Sequence, residues 1–247
     1  MSSLRRWAVP LALAAALASS AAAQETGNGF MFGNPRGSIA IRGGWAGASA
    51  KSDLFDFTTE NLSINRRDFS SASIGADIGV RVLERTHLVA SIDLSGMDKN
   101  SDFRHFIDNN DLPIEQSTRF RRVPVTLSVK QYLTAPGRSI GKFAWIPSRF
   151  AAYVGAGGGA EWYEFKQHGD FIDFNTLKVF GDTFTSDGWA GEGHAFAGVD
   201  YSLRQDIALT TEAKYSRSKA SLSNDFSGFE RLDLSGFSST IGLTFRF

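Results

Sequence analysis

SSASIGADIGVRV, residues 70–82, alternates without a slip: Ala72, Ile74, Ala76, Ile78, Val80 and Val82 fall on one side, and Ser73, Gly75, Asp77, Gly79 and Arg81 on the other. Successive side chains of a β-strand point to opposite faces, so this stretch is a strand with one apolar face and one small or charged face. A helix would distribute the same residues around its whole circumference.

Seven further segments carry the same period: 38–49, 87–96, 119–133, 149–165, 188–201, 207–217 and 234–247. In 119–133, Val123, Val125, Leu127 and Val129 oppose Thr126, Ser128 and Lys130. The last segment sets Phe237, Ile241, Leu243, Phe245 and Phe247 against Ser238, Thr240, Gly242, Thr244 and Arg246. Pro124 has no N–H to offer a ladder, so a bulge or a break in pairing is expected there. The links are of two kinds. Residues 83–86 and 202–206 are tight and 134–148 is a longer turn, whereas 50–68, 97–118, 166–187 and 218–233 are long and polar.

Charge decides what the two faces meet. One face of the eight segments is nearly free of ionisable groups. The other holds Arg42, Asp77, Arg81, Asp93, Lys130, Glu161, Asp200, Glu212, Lys214 and Arg246, five acids and five bases. Such a set can pair inside a narrow enclosure, while the apolar face, with Trp45, Trp162, Trp189, Tyr201, Tyr215, Phe245 and Phe247 near its ends, suits lipid and its two interfaces. Closing the sheet satisfies every backbone group, which hydrocarbon cannot do. The fold expected is all-β, a closed, antiparallel, eight-stranded, up-and-down transmembrane barrel over 37–247, preceded by a short segment, 24–36.

The N-terminus, residues 1–23, has Arg5 and Arg6 before an apolar run and small residues at Ala21 and Ala23, the pattern of a cleaved secretory signal peptide. Its removal leaves 24 basic residues against 26 acidic ones, which argues against nucleic acid as a partner. The chain has no cysteine, so no disulfide stabilises it.

The signal peptide, the eight alternating segments and the terminal IGLTFRF ending in Phe247 resemble the small outer-membrane barrels: the transmembrane domain of outer-membrane protein A, the opacity-type proteins and outer-membrane protein W. The resemblance implies a Gram-negative outer membrane, contact with its lipid and lipopolysaccharide, and reading of Phe247 by the barrel-insertion machinery as an assembly signal. It leaves activity open, because these barrels share architecture and differ in role.

Motifs for chemistry are scarce. The glycines of VGAGGGAEW, 154–162, lie on a strand with no helix after it, and read as close packing in the wall and not as a phosphate cradle. No cofactor, metal or catalytic residue is expected. His194 is the one histidine placed on the enclosed face, with Glu192 beside it. The loops repeat aromatic residues next to Asp and Asn, in RHFIDNND (104–111) and HGDFIDFNT (168–176). Phe103, Phe106, Phe171 and Phe174 are therefore candidates for loop packing or partner contact. The leading expectation is a non-enzymatic envelope barrel displaying four surface loops, for membrane integrity or surface interaction. The alternative is a channel for small apolar solutes entering between loop aromatics that also include Phe180 and Phe184. A lipid A-modifying enzyme is a third, weaker reading.

Overall fold

The computed structural model describes residues 30–107, 111–141, 143–174 and 176–247; the signal peptide expected at 1–23 lies outside the described residues. The strands are Met31–Phe32 (β1), Gly37–Ala48 (β2), Ser71–Leu83 (β3), Thr86–Ile107 (β4), Pro113–Tyr132 (β5), Gly137–Ile140 (β6), Ala144–Pro147 (β7), Phe150–Ile172 (β8), Val179–Ser202 (β9), Ile207–Ala220 (β10), Leu232–Asp233 (β11) and Gly236–Arg246 (β12).

Eight of these form the wall in the order β2-β3-β4-β5-β8-β9-β10-β12, every neighbour antiparallel. The ring closes where β12 returns to β2, in unbroken register from Gly236↔Ala48 to Arg246↔Ser38. The terminal residue joins this seam: Phe247 N–H donates to Gly37 O and Gly37 N–H donates back to Phe247 O. The Phe247 ring lies over Gly37, where a Cβ would come 2.5 Å from the aromatic edge. The closing seam thus depends on an aromatic ring and a glycine that leaves room for it.

The two faces sort as the alternation demands. Ile41, Ile74, Ile78, Val80, Ile92, Leu127, Val129, Ile241 and Leu243 are all exposed on the outside of the ring. Trp45, Trp189, Tyr215 and Phe237 are exposed toward one end of this belt, and Phe150, Phe245 and Phe247 toward the other. The charged and hydroxyl residues face in. A continuous apolar surface of this extent is far larger than a water-soluble monomer exposes, and it matches the apolar band with aromatic girdles that a bilayer requires.

Pro124 produces a break in pairing on one side and no bulge. Toward β8 it pairs with Glu161 in continuous register. Toward β4 the ladder lapses between Ile92↔Val125 and Ser95↔Arg122 and then resumes in the same register. Proline removes one donor, and the strands on either side hold the alignment.

Two expected loops are mostly strand. Segments 97–118 and 166–187 extend the β4–β5 and β8–β9 hairpins well past the wall, giving strands of 20–24 residues where a crossing needs roughly 9–11. The period of two continues there with its chemistry inverted. Asp98, Asn100, Asp102 and Arg104 point outward, while Ser101, Phe103, Ile114 and Phe120 are buried inward. Beyond lipid the outside meets water, so the polar residues change sides.

The other two long links also carry structure. The 50–68 link contains a helix, Asp53–Asn61 (α1), and a short 3-10 turn, Arg66–Phe69; the 218–233 link contains the 3-10 turn Asn224–Phe226. At the opposite end of the barrel, 134–148 is a β6–β7 hairpin to which β1 adds a third strand, Met31 pairing with Trp145. The lead-in segment is therefore tied to the barrel's tight-turn end.

Candidate functional site

The lumen is occupied at mid-height by one arginine and three carboxylates. Arg42 of β2 reaches Asp77 of β3 through Nε at 2.7 Å and Nη2 at 2.8 Å, Asp93 of β4 through Nη2 at 3.0 Å, and Glu212 of β10 through Nη1 at 3.4 Å. Lys214 Nζ returns to Asp93 at 2.7 Å, and Tyr153 OH donates to Glu212 at 3.0 Å. Alternation places all of these side chains inward, and the ring's curvature brings four strands to one guanidinium. Charge-assisted bonds of this kind are strong when both partners are removed from water.

A second group lies nearer the tight turns. Asp200 is fully buried and accepts from Tyr132 OH at 2.5 Å and Thr210 Oγ1 at 2.8 Å, with Lys130 Nζ at 3.3 Å and Arg246 Nη2 at 3.8 Å. Lys130 also stands 3.6 Å from the centroid of the Tyr153 ring, a cation–π contact. Trp145 of the β6–β7 hairpin is 2 % exposed and lines the same space as Arg42, Lys130 and Arg246. It folds the hairpin over this end of the lumen, with the Arg246 guanidinium 5.9 Å from its ring.

Eight of the ten charged residues expected inside thus fall into these two groups. Arg81 lies at the tight-turn mouth, where its guanidinium donates to Asn34 O at 3.4 Å. Glu161 is buried without an ion pair within 4.0 Å among the described residues. It shares the upper lumen with Glu192 and with Arg122, which donates to Leu234 O at 2.9 Å.

His194 Nε2 is hydrogen-bonded to Ser128 Oγ at 2.8 Å across strands, whereas its Nδ1, 3.3 Å from Glu192 Oε1 on the same strand, makes no hydrogen bond. The three residues stand in the order of a nucleophile, base and acid. The place is wrong for acyl chemistry, because Ser128 sits mid-strand and its neighbours pair on both sides, Val89 on β4 and Gly157 on β8. Backbone N–H groups in a complete ladder are not free to hold an oxyanion. The Ser128 contact is polar packing that orients a buried imidazole. His194 is also joined on the inner face by His87, whose ring lies 5.1 Å from that of Tyr132, so the expectation of one inward histidine is corrected.

The glycine stripe has a steric explanation. A Cβ on Gly155 would meet the Phe196 ring at 2.2 Å, and on Gly159 it would come 2.1 Å from Val125 O. The wall here accepts the inward ring of Phe196 from β9 because β8 carries glycine at 155, between the inward Tyr153 and the rest of the stripe.

The loop end carries the apolar core. Helix α1 turns Leu54, Phe55 and Thr58 toward the barrel. Phe55 enters the ring of strands, 4.7 Å from Phe69, 5.5 Å from Phe120 and 5.8 Å from Phe165, mostly edge to face. Leu62, Ile64, Ile114, Tyr163, Phe226, Leu232 and Leu234 belong to the same cluster. Short polar ties hold its lid: Arg104 donates to Leu62 O, Asp53 accepts from Glu230 N–H at 2.8 Å, and Asp225 accepts from Thr185 N–H at 2.9 Å. The 50–68 and 218–233 links and both hairpin extensions therefore form one head.

The candidate loop aromatics meet there. Phe103 is 6.4 Å from Phe106, which is 6.1 Å from Phe174, and Phe171 is 4.7 Å from Phe184. Between the hairpin tips and α1, Phe103, Phe171, Phe174 and Phe184 leave an apolar cavity of about 180 Å³, lined also by Phe57, Phe180, Phe226, Phe229, Gln116 and Gln167. Among the described residues no group of His, Asp or Glu is arranged to hold a metal ion.

Arg122, Tyr132, Tyr153 and Trp145 were not expected as site residues. Extending the parity of Thr126, Ser128 and Lys130 along β5 would have found Arg122 and Tyr132. Trp145 carries no such signal, since its placement depends on a turn folding back.

No family model matches the sequence, and a search of curated proteins finds no match. Among solved structures the chain is similar to the outer membrane protein OprG of Pseudomonas aeruginosa (17% identity, 88% of this chain and 99% of that one, TM-score 0.46). It is similar to Neisserial surface protein A (10%, 90% and 100%, 0.46) and to E. coli outer membrane protein W (14%, 87% and 100%, 0.33). These are small outer-membrane β-barrel proteins, and the likeness is one of fold.

Proposed function

We propose that this chain is a non-enzymatic barrel of a Gram-negative outer membrane whose working part is the head. In this reading the signal peptide directs export, Phe247 is the assembly signal, lipid and lipopolysaccharide surround the belt, and the long hairpins face outward. The head serves envelope integrity or contact with a surface ligand.

One observation carries the reading. The apolar cluster around Phe55 binds every loop into one body at one end, while charged residues and Trp145 fill the lumen below it. A rigid display surface needs the first feature, and a conducting pore is hindered by the second. Deleting 97–118 and 166–187, with tight turns in their place, leaves the wall strands intact. Loss of surface binding or of envelope resistance supports the reading, and an unchanged phenotype in both removes it.

The alternative, passage of small apolar solutes, is favoured by the phenylalanine-lined cavity at the hairpin tips. It requires that solute leave past Phe55 or through the wall. Planar-bilayer conductance and liposome uptake of apolar solutes test it, and silence in both argues against it.

A further inference from the structure

We propose that the head cavity is a closed-ended binding site for a small aromatic or aliphatic molecule bearing one hydrogen-bond donor, such as a phenol or an alcohol. The inference rests on the head being the working part of the molecule. It goes further by naming what the head takes.

Size comes first. An apolar cavity of about 150 Å³ in a protein core holds benzene, so about 180 Å³ holds one substituted ring or a short chain. The walls are the faces and edges of Phe103, Phe171, Phe184 and Phe226, which suit a flat apolar guest. Phe226 belongs to the same cluster as Phe55 and Phe165, and its ring is 5.5 Å from Phe165. Solid aromatic packing therefore closes the bottom.

Three polar residues, Gln116, Gln167 and Asp225, break this wall, and one of them holds an unsatisfied atom. Gln116 is 4 % exposed, faces inward from β5 and lines the cavity, yet its Oε1 has no hydrogen-bond partner. Buried amide oxygens are normally satisfied, and a ligand hydroxyl or N–H entering the cavity would complete this one. A carboxylate guest would oppose acceptor to acceptor, and Asp225 on the lining adds like charge. Apolar pockets with a few convergent polar groups are the usual form of small-molecule sites.

Ligand-observed fluorine NMR on the mature chain in lipid nanodiscs, against empty nanodiscs, tests the assignment with 4-fluorophenol, 4-fluoroanisole and 4-fluorobenzoate. The expected result is saturable binding of the phenol, about tenfold weaker binding of the anisole, and none of the benzoate. Gln116→Met should abolish the preference for phenol over anisole. The wild-type comparison of ligands needs no variant, so it decides the matter even if that one folds poorly. Phenol signal equal to that in empty nanodiscs, or equal binding of phenol and anisole, overturns the proposal. Nanodiscs expose both ends of the barrel, so the deletion phenotype can fail while this binding succeeds, and the reverse.

Discussion

Arg42 and Asp77 face each other across the β2–β3 seam in a two-point contact, Nε to Oδ2 at 2.7 Å and Nη2 to Oδ1 at 2.8 Å. The same guanidinium also pairs with Asp93 and Glu212, so carboxylates of three strands share it. Arg42→Met leaves them with the Lys214 ammonium on Asp93 and the Tyr153 hydroxyl on Glu212. Breaking a buried pair from one side costs about 3–5 kcal/mol. The variant should unfold at clearly lower urea in lipid vesicles, followed by the heat-dependent gel shift of folded barrels. It should also raise single-channel conductance if the knot is a barrier. Unchanged stability would show that solvent, not pairing, satisfies these groups.

Two glycines on paired strands should behave oppositely. At Gly159 a Cβ would strike Val125 O on the neighbouring backbone, which cannot move aside, so Gly159→Ala should destabilise the barrel by about 1–3 kcal/mol. Gly191 has nothing within 4 Å of that position, and Gly191→Ala should be neutral or mildly stabilising. Equal effects in the same unfolding assay would refute the packing account of the stripe.

The wall was legible because one rule, alternation with charge on one face, governs every residue that touches lipid or lumen. Ile78, Asp77 and Arg42 each occupy the face that the sequence assigns them. The rule became unreadable where the solvent changed. In 97–118 the same alternation runs with Asp98 outside and Phe103 inside, so strand continuation resembled a polar loop. Long-range placement left even less trace. That Phe55 of a loop helix enters the ring, or that Trp145 covers the far mouth, depends on chain folding over tens of residues and not on any local period.

Ser128 should not behave as a nucleophile. A fluorophosphonate probe incubated with the folded protein and read by peptide mass spectrometry should leave Ser128 unmodified, since the backbone around it is engaged in the β4 and β8 ladders. A Ser128 adduct that disappears in His194→Ala would reverse the non-enzymatic reading.

The head should soften in acid at one defined place. Asp68 is held below the usual carboxylate range by Lys99, whose Nζ is 2.6 Å away, and by the Asn65 N–H at 2.8 Å. A depressed folded pKa stabilises the fold above the unfolded value and is lost as pH falls through the folded one. Hydrogen exchange across 62–70 should therefore be slow at neutral pH and accelerate, after correction for intrinsic rate, only below pH about 4. Asp68→Asn should show the faster exchange already at neutral pH. A flat profile in the unmodified chain would mean that the aspartate does not secure the 3-10 turn.

Because the chain has no cysteine, single introduced thiols report position cleanly. Ile78→Cys and Leu243→Cys lie on the exposed belt and should react with a lipid-soluble maleimide but not with a charged one. Thr244→Cys faces the lumen on the same side as Trp145 and Arg246, under the β6–β7 hairpin. It should react slowly with the charged reagent in vesicles permeable to it, and faster once Trp145→Ala removes the ring that closes that mouth. If Ile78→Cys and Leu243→Cys take the charged label readily, the belt faces water and the membrane reading fails. If Thr244→Cys is already fast with Trp145 in place, the hairpin is not a lid and the lumen is open to the tight-turn side.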